Sequence, residues 1–132
     1  MTRTLPLIAV IPLVLAACTQ PTPQSRGAHL YETNCASCHG KSAQGDGPLA
    51  KQYGMRPANL TLLSQKNGGV FPAEGVMAQI NGYPGRHDFG GMPEFERELS
   101  GPTVPYTTTT GQVIDTKQAM IDIAAYLETV QQ

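Results

Sequence analysis

Hydrophobic and polar positions alternate in three different rhythms along this chain. Leu5 to Ala17, LPLIAVIPLVLAA, is an unbroken apolar run of 13 residues. Near the other end, Ala119, Ile123, Tyr126, Leu127 and Val130 recur at helical spacing within DTKQAMIDIAAYLETV, which predicts the strongest helix of the chain. Asp115 is expected to cap it, with Gln118 returning the bond as in a capping box. Val76, Met77 and Ile80 share a shorter helix, and GAHLYETN ahead of Cys35 reads as another. Between Met92 and the last helix the rhythm changes. Tyr106 to Thr109 and Gln112 to Ile114 are β-prone and flank Thr110-Gly111, which predicts a small hairpin. Pro102 and Pro105 are expected to limit its length.

The first apolar run is too short for a spanning helix, which needs about 20 residues. Arg3 precedes it, and Leu15-Ala16-Ala17-Cys18 closes it. That is a positively charged start, an apolar middle and small residues before a cut. The ending resembles the lipobox of bacterial lipoproteins, which implies cleavage before Cys18 and a diacylglycerol on its sulfur. An ordinary secretory signal with an incidental thiol is the plainer reading. Removal of residues 1–17 takes away one cation and no anion, so the formal charge moves from −1 to −2. Thr19 to Ser25 is then a polar, Pro-containing tether. The organisation expected is 1–17 signal peptide, 18–26 lipid-anchored tether and 27–132 a single domain.

Composition narrows the classes of function. With 9 Lys+Arg against 10 Asp+Glu there is no basic stripe, so nucleic acid is not an expected partner. Gly (14) and Pro (11) imply many turns and short helices. A chain of 132 residues so rich in loops has a thin core and gains from a bound group that supplies apolar surface.

The chemistry is carried by Asn34-Cys35-Ala36-Ser37-Cys38-His39-Gly40. Lipid on Cys18 would leave Cys35 and Cys38 as the only thiols, in an oxidising compartment. Four readings compete. A zinc site lacks a second ligand pair, since His29 and His87 are isolated. A redox dithiol wants a strand before it and a helix after, but a helix precedes Cys35. A disulfide across two residues closes too small a loop to stabilise much. Haem attachment uses all three residues: two thiols for the two vinyl groups, and the adjacent imidazole for iron.

With these residues in view, the sequence resembles a class I c-type cytochrome over about residues 26–130. Gly27 and Tyr31 precede Cys35 by eight and four residues, matching that family's first helix, where glycine lets the last helix cross closely and the aromatic packs in the crossing. The resemblance implies an all-α class I cytochrome c fold. Four or five short helices would surround one covalent haem c, with the hairpin inserted before the last helix. In the stretch GKSAQGDGPLAKQYGMRPANLT it implies that the Pro48 carbonyl accepts a bond from the His39 imidazole. Pro48 equally suits the first turn of a short helix. Arg56 either approaches a haem propionate or faces solvent.

The sixth iron ligand has five candidates: Met55, Met77, His87, Met92 and Met120. Met77 and Met120 read as core, Met55 as lining the haem edge and His87 as a loop residue. Met92 lies 53 residues after His39, enough chain to round the ring. Gly90-Gly91 allow a close backbone approach, Pro93 stiffens the other side, and Gly90 to Phe95 matches the GGMPxF pattern of the family. The expected function is single-electron transfer by a mono-haem protein of the periplasm, not an enzyme. It would be held by lipid to the inner or outer membrane, serving redox partners such as a dehydrogenase, a cytochrome complex or an oxidase, with no small-molecule substrate. The alternative is a haem enzyme or gas sensor whose sixth position is weakly held or open.

Overall fold

A computed structural model describes residues 20–82, 92–93, 95 and 98–132. Helix α1 (Pro23–Asn34) starts where the Thr22 hydroxyl accepts from Ser25 N at 3.2 Å and Pro23 occupies the first turn, a position that needs no N–H donor. It therefore begins inside the stretch 18–26 read as a tether: the threonine cap and the proline nucleate helix earlier than composition suggests. A one-residue break at Cys35 leads into α2 (Ala36–His39), followed by α3 (Pro48–Gln52), a 3-10 turn (Leu60–Leu62), α4 (Leu63–Lys66) and α5 (Ala73–Asn81). A two-stranded antiparallel sheet, β1 (Thr103–Thr107) and β2 (Val113–Lys117), precedes α6 (Gln118–Thr129). The described chain is mostly helical, as expected, but the hairpin makes it not purely so.

The first and last helices form the principal contact. A Cβ added at Gly27 would overlap the Asp122 carbonyl oxygen, so the two backbones come as close as the missing side chain permits. Tyr31 and Tyr126 pack in the crossing with ring centroids 5.3 Å apart, inclined at 45°. The crossing anticipated from Gly27 and Tyr31 is thus present. Tyr31, Leu99, Met120 and Ile123 are all but sealed from solvent, and Met77 and Ile80 of α5 join the same cluster. Met77 and Met120 are core, as their spacing indicates.

The hairpin is longer than its β-prone segments suggested, and it runs through Pro105. Thr108 N–H donates to the Gln112 carbonyl at 2.8 Å, which fixes 108 and 112 as a hydrogen-bonded pair. Bonded and non-bonded pairs alternate in an antiparallel ladder, so Pro105, opposite Asp115, falls on a non-bonded pair. Its missing N–H interrupts nothing there. Strand pairing also claims Asp115. The last helix begins at Gln118, with Lys117 at its N-cap and no side-chain cap bond. The expected capping box is absent because five residues of β2 are worth more to the ladder than one cap is to the helix. Gln118 turns its amide to Asp122 instead, at 3.0 Å.

Candidate functional site

Cys35, Cys38 and His39 stand at i, i+3 and i+4 of one helical turn, the spacing that puts three side chains on one face. Backbone bonds from Cys38 N and His39 N to the Cys35 carbonyl, at 3.1 and 2.9 Å, hold that turn. The chain then folds back on it. Gly45 N–H reaches the His39 carbonyl at 2.8 Å and Gly47 N–H the Cys38 carbonyl at 3.1 Å, so the orphan carbonyls of α2 are satisfied by the next loop. A side chain at Gly47 would strike the Cys38 backbone.

The same loop brings in the partner of the histidine. Leu60 N–H donates to the Ala43 carbonyl at 2.8 Å, which lays residues 57–60 beside the loop. The Ala58 carbonyl then lies 3.1 Å from His39 Nδ1. Sequence resemblance gives this contact to Pro48; the structure gives it to Ala58. A backbone carbonyl carries no side-chain signature, and only the Ala43–Leu60 pairing reveals which one arrives. Pro48 occupies the first turn of α3, its other expected role. Burial lowers the His39 pKa and outweighs the opposing effect of the Ala58 bond, which favours the neutral ring. With Nδ1–H directed at the carbonyl, the lone pair resides on Nε2, which has no partner among the described residues.

The two sulfurs are not bonded to each other, and both are partly buried. Burial, reinforced by Cys38, pushes the Cys35 thiol up to about 11. A redox dithiol needs the reverse, a thiol acidified by its surroundings. Among the described residues no group of three or more His, Cys, Asp and Glu is gathered as a metal-ion site. Leu60, Leu63, Met92 and Phe95 pack against the core cluster and remain partly exposed. Paired thiols, an imidazole whose Nε2 meets no partner among the described residues, and partly exposed apolar side chains suit a flat, largely apolar iron macrocycle.

Met92 therefore belongs to the wall of the core, while Gly90, Gly91 and His87 lie outside the described residues, as does Cys18. Met55 is half-buried and Arg56 is exposed. No described helix is long and apolar enough to cross a membrane.

Residues 22–104 match the family model described as cytochrome c oxidase, cbb3-type, subunit III. That span covers more than half of the chain and includes Cys35, Cys38, His39 and Met92. The chain belongs to this cytochrome c family. No curated protein matches it. As a class I c-type cytochrome it is an electron-transfer module, and the family implies haem c as its cofactor. The matched span ends just inside β1, so most of the hairpin and all of α6 lie beyond it.

Proposed function

We propose that this cytochrome carries single electrons on one haem c, joined covalently through Cys35 and Cys38, with His39 and Met92 as the axial ligands of iron. The observation that carries the reading is the shared face of Cys35, Cys38 and His39, with His39 Nδ1 held 3.1 Å from the Ala58 carbonyl. That bond fixes the tautomer and the ring orientation and makes Nε2 a better donor. A bound haem supplies a one-electron couple, and a neutral thioether such as that of Met92 favours its reduced state. Filling both axial positions leaves no place for a substrate, which suits a carrier. Arg56, exposed near the loop that carries Ala58, is available to a propionate.

The place of work is the periplasm, with the domain tethered by lipid on Cys18 to the inner or outer membrane. The apolar run before Cys18 and the small residues preceding it support this. The partners are redox proteins, and the oxidase named in the family description makes an oxidase complex the first to examine. The test is extraction with acid and acetone, followed by exposure of the reduced protein to carbon monoxide. Haem that stays with the polypeptide, and iron that refuses carbon monoxide at neutral pH, are expected. Haem lost to the organic phase would refute covalent attachment, and ready carbon monoxide binding would refute the carrier reading.

A further inference from the structure

The hairpin has no part in the site as described, yet its bonds reach described elements on either side of Met92. At its tip, Thr109 N–H and the Thr109 hydroxyl both donate to the carboxylate of Glu74, at 2.6 and 3.2 Å. Glu74 sits in the first turn of α5. At its base, Lys117 Nζ donates to the Leu99 carbonyl at 2.9 Å. Tyr106, between these points, packs against the core cluster.

These two grips frame the Met92 stretch. The nearest described element upstream is α5, whose last turn offers the Ile80 carbonyl to Phe95 N–H at 3.2 Å. Its downstream neighbour is Leu99, which is buried and whose N–H donates to the Phe95 carbonyl at 3.0 Å. The hairpin thus joins the start of α5 to Leu99 and closes a ring of contacts through Glu74, Ile80, Phe95, Leu99, Lys117 and Thr109. Charge-assisted bonds make both joints, the Lys117 one part-buried and the Glu74 one exposed and so weakened by solvent.

We infer that the hairpin is a brace that holds the Met92 stretch in place, with Glu74 as a positioning residue for the sixth ligand. This rests on the proposal that Met92 binds the iron. Methionine sulfur is a weak ligand, so how long it stays on iron depends on how firmly its chain is held. A brace from α5 to Leu99 opposes the outward swing that would free the position. Most of it lies beyond the matched span, so this part of the device belongs to the chain rather than to the family profile.

The test measures imidazole binding to the oxidised full-length haem protein, beside the weak red absorption of thioether-bound iron. Glu74→Ala should tighten imidazole binding on the order of tenfold, the factor expected when a charge-assisted bond that restrains opening is lost. Thr109→Val, which removes only the hydroxyl bond, should give a smaller shift in the same direction. Glu74→Gln should recover part of the loss, since its amide oxygen still accepts from Thr109 N–H. Met92→Ala sets the upper limit. If Met92→Ala binds imidazole far more tightly while Glu74→Ala and Thr109→Val bind it as the native protein does, the brace is wrong and the ligand assignment stands. Lower thermal stability without an imidazole shift counts the same way. If Met92→Ala changes nothing, the ligand assignment falls and the brace with it. Should Glu74→Ala fail to hold haem, Thr109→Val decides alone, and an unchanged affinity there overturns the proposal.

Discussion

Arg26 and Asp122, 96 residues apart in the chain, meet in a two-point ion pair, Nε to Oδ2 at 2.6 Å and Nη2 to Oδ1 at 2.7 Å. The carboxylate is buried, at 3% exposure, and Gln118 adds a third bond to it. The guanidinium stays partly exposed and also donates to the Pro21 carbonyl at 2.7 Å. The pair lies beside the place where Gly27 lets the helices touch, so charge and close packing secure one crossing.

Removing one partner should hurt more than removing both. Arg26→Met leaves a buried carboxylate with only an amide for company, the costly case for an ion pair. Arg26→Met with Asp122→Leu buries apolar groups instead and should regain much of the loss. Denaturant midpoints of the three proteins check the order. A double variant less stable than Arg26→Met would contradict it.

Gly27→Ala sets two effects against each other. Helix propensity favours alanine by about 1 kcal/mol. Overlap with the Asp122 carbonyl should cost about 1–3 kcal/mol, because a backbone atom cannot yield as a flexible side chain can. The net expectation is a lower urea midpoint with an unchanged slope. A raised midpoint would mean that α1 and α6 do not touch at this position.

Tyr31 makes stability depend on alkaline pH. Its hydroxyl donates to the Gly40 carbonyl at 2.7 Å inside the core, and burial raises its pKa above the ordinary value of 10.0. The unfolded chain gives up this proton first. The contribution is therefore fully present below pH 10 and is lost progressively above it. Tyr31→Phe should cost about 1 kcal/mol at neutral pH for the lost bond. It should also flatten the decline above pH 10, followed as unfolding midpoints across the alkaline range.

Met92→Ala should abolish the weak red absorption of the oxidised form, lower the reduction potential and admit carbon monoxide to reduced iron. Potentiometry and absorption spectra of the purified protein check all three. Retention of the red absorption would move the ligand role elsewhere, with His87→Ala the next variant to make.

Cys18→Ser should prevent lipidation and leave the haem domain folded, since the Thr22 cap and Pro23 start the first helix beyond Cys18. The mass of the N-terminal peptide of the native protein is the direct check. An unmodified Cys18, or a chain still beginning at Met1, would sink the anchor and leave the haem reading intact.

How much of this was legible in the sequence depended on whether side chains or backbone carried the information. Cys35, Cys38 and His39 announce themselves because thiols and imidazole are rare and their spacing matches one helical turn. Gly27 and the stripe from Ala119 to Val130 were legible for the same reason: residue type states the requirement. Ala58 was not, since its contribution is a carbonyl that any residue possesses. The start of α6 was misjudged because Asp115 suits a cap as well as a strand, and the ladder with Pro105 decides only in three dimensions. The tip of the hairpin gave no sign of Glu74, a pairing across 35 residues that no local pattern encodes.

The crossing of α1 and α6 also orders events in time. Ends 96 residues apart must find each other, and closing so long a loop is slower than winding either helix. As the chain is made, α1 and the turn from Cys35 to His39 exist well before α6 can dock. During that interval Ala119, Met120, Ile123, Ala124 and Leu127 of α6 have yet to join the core cluster against which Cys35 packs. The crossing is therefore made last, after the turn that carries both thiols has been synthesised.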